Sequence, residues 1–242
     1  MNLRSILAAC GRTAPSQSRL GNILTLLSRA REQAVAGKFE PALDAALRGE
    51  IRRSFDEAAR DEENFPSTID PRIRHVQALL KFFGPLTDRR VLDVGCGKGR
   101  FARVLRESNP GADIWGLDIS EEMLRFVPAG INTVAGSMTE LPFAASAFDF
   151  VYATESLEHA VEIERAVNEM CRVLEPGGKL FIIDKNAEHW GKLKTPEWEK
   201  WFRRKELEKL LARHCREVRS ELMSYWDDVA PDGLFLAWYA CK

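Results

Sequence analysis

Two regimes of hydrophobic patterning divide the chain. Up to about residue 65 no run alternates as a strand does, and the apolar residues recur at helical spacing. Leu20, Ile23, Leu24 and Leu27 form one such set, and after Gly37 and Pro41 a second comprises Leu43, Leu47, Ile51, Phe55 and Ala58. Each set is apolar on one side only, so these helices must pack on the rest of the protein or on a second subunit. A third helix is predicted after Asp70–Arg72, running to Phe83 and ended by Gly84-Pro85. From Val91 onward short apolar runs alternate with helical segments. The runs "VLDVG", "DIWGLDIS", "INTVAG", "FDFVYATE" and "KLFIID" read as strands, with helices at Arg100–Ser108, at "EEML" after a Ser120 cap, and at Ile163–Leu174 before "EPGG". A helix over roughly Arg204–Arg213 and strands at "EVRSELM" and "GLFLAWYA" complete the pattern. Such βα repeats predict an α/β fold: a mainly parallel, seven-stranded sheet with helices on both faces. The organisation expected is an N-terminal helical extension over 1–65 and a main domain over 66–242.

Composition narrows the function classes. With 35 basic and 36 acidic residues the net charge is −1, which gives no electrostatic signal for nucleic acid or an acidic membrane. No apolar run approaches the roughly 18 residues of a membrane span. Five cysteines (Cys10, Cys96, Cys171, Cys215, Cys241) are scattered and never form CxxC, so reduced thiols in the cytoplasm are expected and no metal site is predicted. Leu7-Ala-Ala-Cys10 imitates a lipoprotein processing site, but its apolar core is too short. The first 31 residues carry five arginines and no acid, as an organelle transit segment does. A basic helical extension is the preferred reading of the same residues, with the transit segment as the alternative.

The candidate chemistry centres on Val91–Arg100, "VLDVGCGKGR", where a buried strand runs into three glycines at alternate positions behind an acid, Asp93. A phosphate-gripping loop needs GxxxxGK[ST], which is absent, and a GxGxxG dinucleotide loop would need glycine where Arg100 stands. Asp93 is unsuited to a pyrophosphate and suits a cationic ligand. The second strand ends in Asp118, 19 residues after Gly99, where an acid accepts hydrogen bonds from both hydroxyls of a ribose. A cation, a close backbone and a ribose together describe S-adenosylmethionine, with S-adenosylhomocysteine as product.

At these residues the sequence resembles the class I S-adenosylmethionine-dependent methyltransferases, specifically the small-molecule branch called type 11. The resemblance covers roughly residues 90–242 and rests on "VLDVGCGKG", "GLDIS", "AGSMTELPF", "FDFVYATESLEH" and "VLEPGGKLFI", in that order. It implies a Rossmann-like methyltransferase sandwich and assigns the cofactor residues. Gly95, Cys96 and Gly97 lie along the methionine portion, Asp93 orients its amino group directly or through water, Asp118 holds the ribose, Ile119 packs on the adenine, and Ser137 and Met138 line the adenine. Ser137 departs from the family, which often has Asp there to accept from the adenine amino group. A serine hydroxyl accepts more weakly, which implies tuned affinity.

Methyl transfer from a sulfonium asks the protein for orientation and desolvation, plus a base where the nucleophile must lose a proton. Glu155, Glu158 and His159, in "TESLEHA", are the candidate catalytic residues, and His159 has the intrinsic pKa of a base at neutral pH. The same residues equally read as a helix cap or as the wall of the cofactor pocket. Trp190, Trp198 and Trp201, with His189, form either an aromatic lid over the acceptor or one side of a docked helix. Lys192, Lys194, Lys200, Arg203, Arg204 and Lys205, interleaved with Glu197, Glu199, Glu206 and Glu208, read as a solvated helix face. The function expected is methylation of a small-molecule acceptor at oxygen, nitrogen or carbon. Methylation of a macromolecule (tRNA or protein), or a non-catalytic scaffold, are the alternatives. The N-terminal helices are candidates for a lid or a homodimer element.

Overall fold

The computed structural model describes residues 43–226 and 228–242. The helix expected at Leu20–Leu27 and the transit-like segment lie outside these residues. In chain order the described elements are α1 (Ala45–Ala58), α2 (Arg74–Phe83), β1 (Arg90–Val94), α3 (Arg100–Ser108), β2 (Asp113–Asp118), α4 (Glu121–Leu124), β3 (Asn132–Ala135), β4 (Phe148–Thr154), α5 (Ile163–Val173), β5 (Leu174–Lys185), α6 (Arg204–Leu211), β6 (Glu217–Met223) and β7 (Phe235–Cys241). The strands form one sheet in the order β3-β2-β1-β4-β5-β7-β6, parallel except for β7, which runs antiparallel between β5 and β6.

Parallel strands buried on both faces explain the near-continuous apolar runs of the sequence. Alternate residues serve opposite faces. Leu92, Val94, Val151, Ala153, Leu180 and Ile182 join one buried cluster, with Val167 and Met170 of α5 and Leu207 of α6. Val91, Phe150, Tyr152, Phe181 and Ile183 join the other, with Val76, Leu79 and Phe83 of α2 and Phe101 and Leu105 of α3. The chain passes from β1 to β2 on one side and returns to β4 on the other, so β1 and β4 flank the switch point, where an open α/β sheet binds its ligand.

Two local expectations are corrected. Strand β5 does not begin after "EPGG": α5 stops at Val173 and the strand includes those residues, with a register shift between Phe148 and Phe150 on the neighbouring strand. The stretch between β5 and α6 is not a solvated helix. Apart from a short 3₁₀ turn at Ala187–His189 it is irregular up to α6, and Glu199 in it is buried.

Residues 43–66 are tied to the sheet's carboxyl end rather than set apart from it. Asp44 caps α1 by accepting from the Leu47 N–H at 2.8 Å, and Ile51 is buried. Polar contacts fasten the segment, among them the Leu43 N–H to Glu162 Oε1 at 3.1 Å, Ser120 Oγ to Asp56 Oδ1 at 2.6 Å, and Lys98 Nζ to Glu62 Oε1 at 2.7 Å and to the Asp61 carbonyl at 3.3 Å.

Candidate active site

A cavity of about 340 Å³ opens at the carboxyl ends of β1, β2, β4 and β5, within the range of small-ligand sites. The glycine loop forms its floor. Gly95 and Gly97 both have positive φ, +75° and +53°, in the left-handed region that glycine adopts at no steric cost. Their surroundings differ. A Cβ on Gly95 would come within 2.5 Å of the Ser156 Cβ, so this glycine lets the loop pack against the turn after β4. A Cβ on Gly97 would meet nothing within 4 Å, so the backbone here faces open cavity and a ligand has direct access to it. Cys96 also lines the cavity, with its thiol against Gly116; burial raises the thiol well above the ordinary value, keeping it protonated.

Asp118 ends β2 and lines the cavity. Its carboxylate accepts from the Gly97 N–H at 2.7 Å and the Ser120 N–H at 2.9 Å, so it braces the glycine loop as well as facing the ligand space. Burial raises its pKa above the ordinary value, against these N–H donors. Ser120 caps α4 by accepting from the Met123 N–H. Ile119, Ser137 and Met138 line the same cavity. The Ser137 hydroxyl is already paired with Thr139 Oγ1 at 2.8 Å.

Asp93 is almost fully buried, below the loop rather than among the lining residues. One oxygen accepts from the Tyr152 hydroxyl at 2.8 Å and the other has no partner. Burial pushes its pKa up to about 7. A buried carboxylate with an unmet oxygen beneath a backbone cradle fits the ammonium group of an amino-acid ligand.

Beyond β4 the three candidate catalytic residues part company. Glu155 has φ +53°, a strained conformation for a side-chain-bearing residue. Its carboxylate is held by Arg100 Nη2 at 3.2 Å, by the Tyr225 hydroxyl at 3.1 and 3.2 Å, and lies 3.6 Å from His75 Nδ1. Burial opposes its charge, but Arg100 and His75 outweigh burial and hold it well below the usual carboxylate range. Glu158 is buried, and its Oε1 takes Lys185 Nζ at 2.5 Å. His159 lines the cavity with its ring 5.0 Å from that of Phe55, and burial, aided by Lys185, lowers its pKa to about 3. Glu158 Oε1 and Glu199 Oε2 lie 3.4 and 3.9 Å from its Nε2 and Nδ1.

Sequence reasoning passed over Lys185 and misread Glu199. Lys185 Nζ bridges Glu158 Oε1 and Glu199 Oε1, at 2.5 and 2.9 Å. The signal available was a charged pair, Asp184-Lys185, at the carboxyl end of a buried strand, where open α/β sheets place their sites. Donor atoms of Glu158, His159 and Glu199 lie within 4.8 Å of one another, a spacing a metal ion can use, but the Lys185 ammonium already bridges the two carboxylates. Of the aromatic set, Trp198 lines the cavity, whereas Trp201 is buried against Trp190 with ring centroids 5.2 Å apart. Phe55, Asn64 and Phe65 complete the wall from the N-terminal side.

Residues 92–182 match the family model described as a methyltransferase domain. The malonyl-[acyl-carrier protein] O-methyltransferase of Methylococcus capsulatus is 36% identical over 107 residues, covering 42% of this chain and 38% of that protein. The demethylmenaquinone methyltransferase of Renibacterium salmoninarum is 31% identical over 151 residues, covering 60% and 63%. The chain thus spans between about a third and two thirds of the length of these curated relatives. Among solved structures, an S-adenosylmethionine-dependent methyltransferase from Mesorhizobium loti superposes with a TM-score of 0.59 at 19% identity, over 69% of this chain and 97% of that one.

Proposed function

We propose that this chain, whose residues 92–182 match the methyltransferase-domain model, is a class I S-adenosylmethionine-dependent methyltransferase that transfers a methyl group to a small molecule. The observation that carries the reading is the pairing of the open Gly97 cradle with Asp118 across one cavity, above the unmet oxygen of Asp93. In this reading Gly95–Gly97 receive the methionine portion, Asp93 its ammonium, Asp118 the ribose hydroxyls, and Ile119, Ser137 and Met138 the adenine. S-adenosylmethionine supplies an electrophilic methyl group on a sulfonium. The chain supplies position and exclusion of water.

The acceptor end is the region of Glu158, His159, Trp198 and Glu199, closed on the N-terminal side by Phe55 and Phe65. Its aromatic wall and modest volume favour a small acceptor over a macromolecule. Among the described residues no helix is long and apolar enough to cross a membrane. The four described cysteines are free, which supports a reducing, cytoplasmic setting. The test is release of S-adenosylhomocysteine from S-adenosylmethionine across a panel of phenols, primary amines and carboxylic acids, with NADH binding as control. The reading expects turnover of at least one acceptor class and no NADH binding. NADH binding of comparable affinity to S-adenosylhomocysteine would overturn it.

A further inference from the structure

We infer that Glu158, set in a Lys185-bridged pair with Glu199, is the proton acceptor for a protic acceptor molecule, one methylated at a hydroxyl or amine. The inference rests on the proposed methyltransferase reading and deepens it by assigning the acceptor's proton.

The geometry is built by two neighbouring strands and a crossing segment. Glu158 sits in the turn Leu157–His159 directly after β4, and Asp184 and Lys185 end β5 beside it. Asp184 Oδ2 accepts from the Glu158 N–H at 3.1 Å and fixes that turn. The crossing segment is pinned by the Lys200 N–H, which donates to the Glu158 carbonyl at 2.9 Å. It delivers Glu199, whose Oε1 also accepts from Trp201 Nε1 at 2.7 Å. The Lys185 and Trp201 bonds fall on Oε1 of the two carboxylates, Glu199 Oε2 lies 3.9 Å from His159 Nδ1, and Glu158 Oε2, buried, is left without a hydrogen-bond partner. A buried carboxylate oxygen with nothing to accept is costly unless a ligand completes it. Glu158 and Glu199 both line the cavity, as do Trp198 and His159, whose Nε1 and Nδ1 are likewise unpaired.

The charged surroundings point the same way. Glu158 faces Asp184 and Lys185 of β5, Glu199 of the crossing segment, His159 of its own turn, and Tyr225 of the loop after β6. Burial, then Asp184, raise Glu158 above the ordinary carboxylate range, and Asp184 itself is pushed up to about 6 by burial. Burial works against the Lys185 ammonium, but Glu158 and Glu199 keep it charged. Raised basicity suits Glu158 to accept a proton once it is ionised, and the Lys185 ammonium beside it favours that ionised form. As the acceptor's oxygen or nitrogen takes the methyl group, its proton passes to the Glu158 carboxylate. The carbon–sulfur bond breaks and its electron pair stays on sulfur, leaving a neutral thioether.

The test is carbon-13 NMR of the full chain labelled at glutamate carboxyls and histidine rings, titrated with and without S-adenosylhomocysteine. Glu158→Gln and His159→Asn assign the signals. The expected result is a Glu158 carboxyl titrating above the ordinary range, an imidazole of His159 that stays neutral down to pH 5, and a further upward move of Glu158 in Lys185→Met that Lys185→Arg reverses. A Glu158 carboxyl still protonated at the pH of maximal turnover, or protonation of His159 between pH 6 and 7, would overturn the assignment. Failure of S-adenosylhomocysteine to shift any signal would instead count against the methyltransferase reading. In the acceptor panel, Glu158→Gln should lower kcat at least about 100-fold and His159→Asn less than about tenfold. The phenol and amine arms separate oxygen from nitrogen acceptors.

Discussion

Two glycines of one loop, with similar backbone angles, should respond oppositely to substitution. Gly97→Val places a β-branched side chain at φ +53°, which costs on the order of 1–3 kcal/mol of conformational strain. No atom lies within 4 Å of the new Cβ, so packing adds little to that cost. Against a typical stability of about 5–15 kcal/mol the variant remains folded. The new methyls, however, project into the space in which the loop must meet its ligand, and cofactor binding should be lost. Gly95→Ala carries the same kind of strain and adds a 2.5 Å approach to the Ser156 Cβ, whose hydroxyl is anchored to the Val94 carbonyl at 2.7 Å. A clash of that kind costs about 1–3 kcal/mol beyond the strain, so this smaller substitution should be the more destabilising. Thermal unfolding and calorimetric titration with S-adenosylhomocysteine, run on both variants, check the pair. Near-native binding by Gly97→Val would refute the reasoning, as would a larger loss of stability in Gly97→Val than in Gly95→Ala.

Three further outcomes are expected. Asp118→Ala should weaken S-adenosylhomocysteine binding by about 1–3 kcal/mol through lost charge-assisted hydrogen bonds, and should also lower the melting temperature, because the Gly97 and Ser120 N–H groups lose their acceptor; unchanged calorimetry would remove the ribose assignment. Asp93, with its pKa near 7 in the free protein, should lose its proton when an ammonium docks beside it, so affinity rises with pH. Titrations at pH 6 and pH 8 should differ by about tenfold, tighter at pH 8, with proton release on binding; Asp93→Asn should flatten the dependence, and a pH-independent wild type would contradict the placement. Truncation to about residue 66 should keep cofactor affinity within about tenfold, or 1.4 kcal/mol, while greatly reducing turnover, because Phe55 and Phe65 leave the cavity wall; full turnover by the truncated chain would show that this segment does not shape the acceptor site.

The sheet was legible because its strands are short, apolar and separated by helices with caps of recognisable chemistry. The bounds expected for α3 and for the strand at Glu217–Met223 match the structure residue for residue, and Ser120 caps α4 as its sequence context implied. The place of the glycine loop was legible for the same reason: Gly95, Gly97 and Asp118 line the cavity at the carboxyl end of the sheet, whereas Asp93 lies beneath it. The acceptor end was not. Trp198 and Trp201 stand three apart and imitated a helix, but Pro196 and the bonds from Lys200 and Phe202 to the β4 turn and to Lys185 hold the segment irregular. Glu199 looked solvated because its partner, Lys185, is fourteen residues away and meets it only in the fold. The weakening of His159 likewise depends on burial beneath Phe55, contributed from more than a hundred residues upstream. Burial and long-range charge are tertiary facts, and local pattern carries no record of them.

The most direct test of the account is a crystal structure of the full chain grown with S-adenosylhomocysteine. The account predicts the ribose hydroxyls on Asp118, the methionine portion along Gly95–Gly97 with its ammonium toward Asp93, and the sulfur facing Glu158 and Glu199. A nucleoside bound elsewhere, or bound here with its sulfur turned away from the Lys185-bridged carboxylates, would contradict it.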